Sequence, residues 1–392
     1  MPPRLLTPAD RPLGVATSTR YLPELEGLRG MAMLLVYAFH LDGLVGWELR
    51  RGHHLVDPLS AFVRAGDAGV NLFFVLSSCL LAMPFLQADT TLPARRYFAK
   101  RALRILPLYY AAVVVATLAL ARSWTELGAA IPYLLFLNAL PSVAVPLRPF
   151  SNVWWSLATE WQFYVVLPLA ALLLRRAGWR LAAAVALAWA MVYAAWIAGG
   201  FEVAVADGQL LLGMSLFGRA PYFAGGALIA WLFVRGGERV AAWLARMRLD
   251  TPAGADVAVA IVMLLLSGLL VGVAWAGSFA VQVAPWHAHH VIEAMLWTAL
   301  VGLVLLTPTR LRAALRLPLL IQLGVLSYSV YIVHAPILAV INTLRRAGVA
   351  DLVGWNWRTV LLAAVLTVAT GLVASLTYRF IESPFLSRKE RA

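Results

Sequence analysis

The sequence predicts an all-α integral membrane protein with about ten transmembrane helices in one bundle. Of its 392 residues, 62% are hydrophobic and 13% are charged, and the mean hydropathy is +0.79. A soluble globular domain carries roughly 45–50% apolar and about 25% charged residues. Apolar runs long enough to cross a bilayer, which takes about 20 helical residues, recur along the chain between short arginine-rich segments. Together these observations predict the fold class.

The apolar runs predict the individual spans. We place them at 28–47, 67–87, 104–121, 155–174, 179–199, 218–235, 256–276, 290–307, 319–342 and 359–381. The run "IPYLLFLNAL" at 131–140 has half the required length, so we expect a half-span that lies at the interface or re-enters. Residues 1–22 contain arginines and prolines but no apolar core and predict a mobile tail. Residues 23–386 then form a single transmembrane domain, and 387–392 a basic tail.

Basic residues predict the orientation. With ten spans, the segments 95–104, 175–180, 235–248 and 309–316 and the terminal "SRKERA" fall on one side of the membrane. Cytoplasmic loops carry an excess of Lys and Arg, so we expect that side and both termini to be cytoplasmic. Arg345–Arg346 is the exception. The net charge of +13 is therefore spread over short loops, and no nucleic-acid partner is predicted.

The amino-acid composition also predicts the kind of organism and membrane. High use of Ala, Arg, Leu and Val is typical of a GC-rich bacterial genome. We therefore predict a multi-pass protein of the bacterial cytoplasmic membrane, with the lipid bilayer as its surroundings.

The first span, which begins "ELEGLRGMAMLLVYAFH", contains two ionisable residues. Arg29 and His40 are eleven residues apart, about three helical turns, which places them on one face and about 16 Å apart along the axis. An ionisable side chain within a span costs at least roughly 2.5–3.5 kcal/mol to insert, so both are candidate functional residues. The alternatives are an interfacial arginine that snorkels to water and a structural histidine bonded to a neighbouring helix.

Polar residues in other spans are expected near the depth of His40. Glu160, in "NVWWSLATEWQFYVVLPL", is one, and a histidine–carboxylate pair would orient the ring and raise its basicity. A structural hydrogen bond is the alternative for Glu160. His334 reaches a similar depth and either holds substrate, serves as a second base or is structural. Asp67 and Asn71 are candidates for binding a hydroxyl compound.

The segment "RYFAKRALRILPLYY" places two arginines at the entrance to the third span. Arg101 and Arg104 lie three residues apart on one helix face, at the level of Arg29. A guanidinium donates two parallel hydrogen bonds to phosphate, so these arginines suit a polyanion; positive-inside bias is the alternative. A long ligand with phosphates at one end and a reactive group at the other fits both half-sites. Coenzyme A thioesters have this shape.

Other chemistries lack support in the sequence. The "HAHH" tract at 287–290 falls in a predicted outer loop without acidic or thiolate partners, so we predict no metal site. The single cysteine, Cys79, excludes a disulfide within the chain. A P-loop, a Rossmann glycine pattern and a GxSxG elbow are all missing from the sequence. Phosphoryl transfer, redox and serine hydrolase chemistry are therefore not predicted.

Six motifs in order resemble one family. They are "LEGLRG…YAFH", "VNLFFVLSS", "RALRILPLYY", "WSLATEWQFYVVLPL", "SYSVYIVHAPI" and "YRFIESPF". The sequence thereby resembles the acyltransferase-3 family of integral membrane O-acyltransferases. The resemblance implies about ten transmembrane helices and transfer of an acyl group, commonly acetyl from acetyl-CoA, to hydroxyls of sugars, peptidoglycan, lipopolysaccharide or glycosylated antibiotics such as macrolides. We expect a stand-alone member, without a fused extracytoplasmic hydrolase-like domain.

The resemblance also implies roles for individual residues. By motif, Arg29 and His40 match the essential arginine and histidine of the family. Arg101 and Arg104 match its paired arginines, and Glu160 matches the carboxylate of its "SLxxE" segment.

The sequence thus predicts a membrane-embedded O-acyltransferase that takes an acyl group from acyl-CoA. The acceptor would be a hydroxyl of a cell-surface glycan or glycosylated metabolite. We expect the arginines to hold the CoA phosphates and His40, oriented by Glu160, to act as the base. Two rival hypotheses remain: a transporter or flippase in which the ionisable groups form a pathway, and a subunit that delivers acyl groups to a separate transferase.

Overall fold

The computed structural model of the protein describes residues 21–45, 58–87, 93–121, 123–139, 147, 150–199, 212–275, 284–349, 352, 354 and 356–391. Within these residues the chain is helical and contains no strand, which confirms the predicted all-α class. The α-helices are α1 (Pro23–Val45), α2 (Pro58–Arg64), α3 (Ala68–Leu86), α4 (Ala94–Leu120), α5 (Ile131–Leu134), α6 (Trp155–Ala198), α7 (Leu216–Arg235), α8 (Gly237–Arg246), α9 (Pro252–Trp275), α10 (His289–Leu306), α11 (Leu311–Leu315), α12 (Pro318–Leu338), α13 (Val340–Arg346), α14 (Trp357–Thr377) and α15 (Ser383–Arg391). Short 3-10 segments and one π-helix, Tyr378–Glu382, complete the elements.

Ten segments among the described residues are long and apolar enough to cross a membrane, which confirms the predicted number. They are Pro23–Val45, Ala68–Leu86, Ala94–Leu120, Trp155–Leu174, Gly178–Ala198, Leu212–Arg235, Pro252–Trp275, Trp286–Leu306, Pro318–Arg346 and Trp357–Ser387. The largest difference from the prediction is in the third span. It begins at Ala94 rather than at 104, because the basic residues before the apolar run continue the same helix.

Two predicted segments, the loop between the fourth and fifth spans and the half-span at 131–140, differ from the structure. The fourth and fifth spans form one helical run, α6, interrupted only where Gly178 adopts a φ of 70°. This left-handed conformation favours glycine, and it makes the predicted loop a kink. Of the predicted half-span at 131–140, only the four residues of α5 are α-helical, and Phe136 next to it has a φ of 56°. Tyr133 and Phe136 are buried, so this segment packs inward on the bundle.

The predicted basic segments meet in ion pairs and hydrogen bonds. Glu24, fully buried at the start of α1, accepts hydrogen bonds from Arg312 (2.7 Å) and Arg316 (2.6 Å). Arg235, at the end of α7, donates to the carbonyl of Leu86 at the end of α3 (2.7 Å). These contacts join the basic segment at 309–316 to the start of α1 and the basic segment at 235–248 to the end of α3. That these segments and both termini are cytoplasmic stays a prediction. Residues 1–20 of the predicted tail lie outside the described residues.

Helices α1 and α12 are in direct backbone contact. A Cβ atom added to Gly30 would lie 2.2 Å from the carbonyl oxygen of Leu320, and one added to Gly324 would lie 2.0 Å from that of Glu26. Small residues at such positions allow membrane helices to approach closely, and the packing between them then holds the pair together. This contact aligns the residues of α1 with those of α12 along their length.

We predict that Gly30→Ala destabilises the protein. The added methyl group has no space against Leu320, and overpacking of this kind costs about 1–3 kcal/mol. Thermal unfolding of the detergent-purified protein should therefore show a lower Tm. Gly268→Ala is the matched control, because no atom outside its own helix lies within 4 Å of the added Cβ. Equal Tm values for the two variants would contradict the packing argument.

Candidate active site

A cavity lies between α1, α3, α4, α6 and α12. Its charged lining consists of Arg29, Arg101, Arg104 and Glu160. The remaining lining is mainly apolar and aromatic, with three serine hydroxyls. The structure therefore brings together the three arginines that the sequence predicts to act as one group, and it adds Glu160 to them.

Arg29 is held in the cavity wall by α1 and α12. Its guanidinium donates to the hydroxyl of Ser327 (3.2 Å) and lies 3.5 Å from the carboxylate of Glu26, one turn earlier in α1. The close approach of the two helices brings Ser327 within reach. Arg29 thus faces the interior of the bundle, and the alternative of an arginine that snorkels to the membrane surface does not describe it.

The two arginines of α4 differ in their surroundings. Arg104 forms an ion pair with Glu382 of the π-helix, and Ser329 donates to the second oxygen of the same carboxylate (2.9 Å). Arg104 also lies over the ring of Tyr328 at 5.7 Å. The Nε of Arg101 is buried and has no hydrogen-bond partner among the described residues. A buried donor without a partner is costly, so Arg101 is the residue best placed to bind an anionic ligand.

Glu160 does not contact His40, and the predicted pair is wrong as a structural feature. Glu160 accepts a hydrogen bond from Ser77 of α3 and lines the cavity beside the arginines. No hydrogen bond or ion pair joins it to His40 in the described part of the chain. The prediction failed because depth along a helix does not determine the direction in which a side chain points around the helix axis.

His40 instead pairs with His334. The ring centroids are 4.9 Å apart, and Nε2 of His334 lies 3.4 Å from Nδ1 of His40. Nδ1 of His40 is 2.8 Å from the carbonyl oxygen of Val36, so this nitrogen carries the proton and donates it there. The lone pair of His40 is therefore on Nε2. This is the tautomer that a general base requires, and it is set by α1 and α12 rather than by a carboxylate.

His334 is fixed in a similar way. It is fully buried, and its Nδ1 lies 3.0 Å from the carbonyl of Tyr331 and 3.1 Å from that of Val330. Nδ1 is thus the donor, and the lone pair of Nε2 lies 3.4 Å from Nδ1 of His40, a longer contact than the hydrogen bond from that nitrogen to Val36. His334 therefore contacts His40 and does not line the cavity.

Tyr331 lies between the histidine pair and the cavity. Its ring is 5.8 Å from that of His334, and the same side chain lines the cavity. Its hydroxyl donates to the carbonyl of Val153 (2.6 Å) and is 2.6 Å from the hydroxyl of Ser156. Tyr331 therefore lies against both the arginine-lined cavity and His334, the partner of His40. His40 itself does not line the cavity.

Asp67 and Asn71 lie outside the cavity. Asp67 is exposed just before α3. Asn71 is buried, and its amide nitrogen donates to Glu293 (2.8 Å) while its amide oxygen accepts from Arg219 (2.8 Å). Among the described residues, no hydrogen bond or ion pair joins either residue to the three cavity arginines or to His40, so the predicted role in binding a hydroxyl compound gains no support from position.

The sequence argument about the "HAHH" tract was wrong in one respect. His287 and His290 are buried rather than in an exposed loop, and an acidic partner is present, because Glu293 lies one turn further along α10. The sequence analysis also missed Arg219 and Glu293. Both are ionisable residues inside predicted spans, and the rule that identified Arg29 and His40 would have found them. Glu382 lies one residue beyond the predicted end of the tenth span, so that rule does not apply to it.

Comparison with known proteins identifies relatives with similar sequences. The peptidoglycan O-acetyltransferase OatA of Listeria monocytogenes is 24% identical over 94% of this chain, which spans about half (56%) of that relative. The acyltransferase MdmB of Streptomyces mycarofaciens is 26% identical over 93% of this chain and 91% of its own length. A protein of Acidianus two-tailed virus named as an acetyltransferase is 36% identical over 38% of this chain and 41% of its own length.

No solved structure matches the chain. A family model described as an acyltransferase domain covers residues 22–379, which include the first nine spans, most of the tenth and every residue of the cavity. Over that length the chain belongs to the acyltransferase-3 family.

Proposed function

We propose that this protein is a membrane O-acyltransferase that moves an acyl group, in the simplest case acetyl, from acyl-CoA to a hydroxyl group of a carbohydrate-containing acceptor. Family membership supports acyl transfer. The relatives named as a peptidoglycan O-acetyltransferase and as an acyltransferase support an oxygen acceptor and a membrane setting. The observation that carries the donor assignment is the cavity with three arginines, one of them with an unpartnered buried Nε.

The arginines are the proposed binding site for the phosphates of acyl-CoA. Three guanidinium groups line the cavity, and a phosphate accepts paired hydrogen bonds from a guanidinium. Arg101 supplies the free donor, whereas Arg104 and Arg29 are held in position by Glu382 and Ser327. The apolar part of the cavity suits the pantetheine chain, which carries the thioester toward Tyr331.

His40 is the proposed general base. Its Nε2 lone pair takes the proton of the acceptor hydroxyl as that oxygen attacks the thioester carbonyl carbon. The carbon–sulfur bond then breaks, and the CoA thiolate leaves and takes up the proton from His40. The imidazolium keeps the hydrogen bond from its Nδ1–H to the Val36 carbonyl, and the neutral ring of His334, with its lone pair 3.4 Å from the same nitrogen, stabilises the positive charge. Proton transfer of this kind accelerates a reaction by about 10²–10⁴-fold.

Glu160 acts within the donor cavity in this proposal. Its carboxylate lies among the arginines and accepts from Ser77. A carboxylate there offsets part of the buried positive charge when no donor is bound, and it offers an acceptor to an amide N–H of pantetheine. This role differs from the one expected from sequence, in which Glu160 orients His40.

We predict that Arg101→Gln weakens CoA binding about 10- to 100-fold, because a hydrogen bond to a charged group contributes about 1.5–3 kcal/mol. Titration calorimetry on detergent-purified protein measures the Kd directly. Arg96→Gln is the matched control, since Arg96 is an exposed arginine of the same helix. Equal losses in the two variants would show that only the overall positive charge matters.

We predict that His40→Ala lowers acyl transfer by at least about 100-fold, the lower bound for loss of a general base, and leaves the Kd for CoA within twofold. The assay incubates reconstituted protein with radiolabelled acetyl-CoA and a glycan or glycosylated macrolide, and counts label in the acceptor. A fully active variant would overturn the mechanism. Transport of an unmodified solute by wild-type protein without acyl-CoA would instead favour the flippase hypothesis.

A further inference from the structure

A second buried cluster of polar side chains lies where α3, α7 and α10 begin. Three of the seven histidines of the chain fall within 287–290, and Glu293 follows in the first turns of α10. One ligand atom from each of His289, His290 and Glu293 lies within 4.8 Å of the others. This cluster has no part in the proposed transfer reaction.

The distances suit a small cation. Oε2 of Glu293 is 3.8 Å from Nε2 of His289 and 3.8 Å from Nδ1 of His290. In a tetrahedral zinc site with bonds of about 2.0–2.2 Å, neighbouring ligand atoms lie about 3.3–3.6 Å apart. The two edges that meet at Oε2 of Glu293 exceed this separation by a few tenths of an ångström, and the third edge, between the two histidine nitrogens, is at most 4.8 Å, so an inward movement of the side chains completes three corners of the site.

Both histidines present the required lone pairs. Nδ1 of His289 lies 2.6 Å from the carbonyl of Trp286 and donates to it, which leaves the lone pair on Nε2. Nε2 of His290 lies 3.2 Å from Nδ1 of His287, so a proton on Nε2 leaves the lone pair of His290 on Nδ1. Histidine ligands of metals almost always donate their second nitrogen to a neighbour in this way.

The carboxylate of Glu293 is oriented by the same principle. Its Oε1 accepts from the amide nitrogen of Asn71 (2.8 Å) and the indole nitrogen of Trp297 (3.0 Å). These donors hold the side chain and leave Oε2 directed at the two histidines. In each of the three residues, one polar atom is thus hydrogen-bonded to a neighbour outside the group, and the other polar atom, here called the inner atom, faces the other two residues.

Two donors currently satisfy the inner atoms. Arg219 lies 3.2 Å from Nδ1 of His290, and the hydroxyl of Tyr222 lies 3.0 Å from that nitrogen and donates to Oε2 of Glu293 (2.8 Å). Arg219 retains hydrogen bonds to Gly213 (2.8 Å) and Asn71 (2.8 Å) when its contact with His290 is lost. A bound cation would therefore displace one long bond of Arg219 and the Tyr222 hydroxyl, while leaving Arg219 anchored.

We propose that His289, His290 and Glu293 form a binding site for a divalent transition-metal cation, with Zn²⁺ the best match to two imidazoles and one carboxylate. Neutral imidazole and carboxylate are ordinary zinc ligands, and three protein ligands leave the fourth position to water or another oxygen donor. The site is distinct from the acyl-donor cavity and does not depend on the proposed function.

The test uses the full chain purified in detergent, stripped with a chelator, incubated with ZnCl₂ and desalted. We expect about one zinc per chain by elemental analysis, and a Tm that rises with zinc. His289→Ala, which removes a half-buried side chain, should retain less than one-tenth of the metal and lose the zinc-dependent shift. Glu293→Gln should behave in the same way. Replacing zinc with Co²⁺ should give the visible absorption bands of a tetrahedral site in the wild-type protein.

The chain offers a matched control in its other adjacent pair of histidines, His53 and His54. The double variant His53→Ala/His54→Ala should keep the full metal content. Loss of zinc in this control, full retention in His289→Ala, or wild-type protein without zinc and without tetrahedral cobalt bands would each overturn the proposal. The Co²⁺ spectrum decides the question even if both ligand variants fold poorly.

Discussion

The backbone contact between α1 and α12 sets the geometry of both half-sites. At Gly30 and Gly324 the helices approach so closely that no methyl group fits. Because helices are stiff, the same contact that brings Ser327 to Arg29 near one end brings His334 to His40 further along. Between membrane helices there is little hydrophobic driving force, so packing of small residues provides the attraction. The helices thereby form one rigid unit on which binding and proton transfer are both arranged.

Charge balance is the second constraint on the cavity. Guanidinium groups inside a low-dielectric bundle need counter-charges, and removing one partner of a buried pair is strongly destabilising. Glu382 forms an ion pair with Arg104, Glu26 forms one with Arg29, and Glu160 lines the cavity beside the arginines. The three carboxylates equal the three guanidinium groups in number, so the feature that favours an anionic ligand is the buried donor that Arg101 leaves without a partner rather than an excess of charge. The incomplete pairing of Arg101 is then a property of the unliganded site.

Sequence reasoning succeeded where a one-dimensional pattern determines the structure. Apolar run length yields the ten spans, and the spacing of Arg101 and Arg104 places both on one face toward Arg29. It failed where the direction of a side chain around the helix axis determines its contacts. Depth in the membrane alone could not distinguish a Glu160 that faces Ser77 from one that faces His40. The predicted eighth span began at 290, so it left most of the "HAHH" tract outside the membrane and hid its relation to Glu293, only one turn away on the same helix.

The segment from Arg29 to His40 has a consequence for how such proteins vary. One inserted residue would turn His40 by about 100° relative to Arg29, and it would also misalign either Ser327 or His334 with its partner on α12. Loops can lengthen or shorten without this penalty. The geometry therefore constrains the number of residues between Arg29 and His40, whereas the cavity walls contributed by α3 and α6 are free of this constraint.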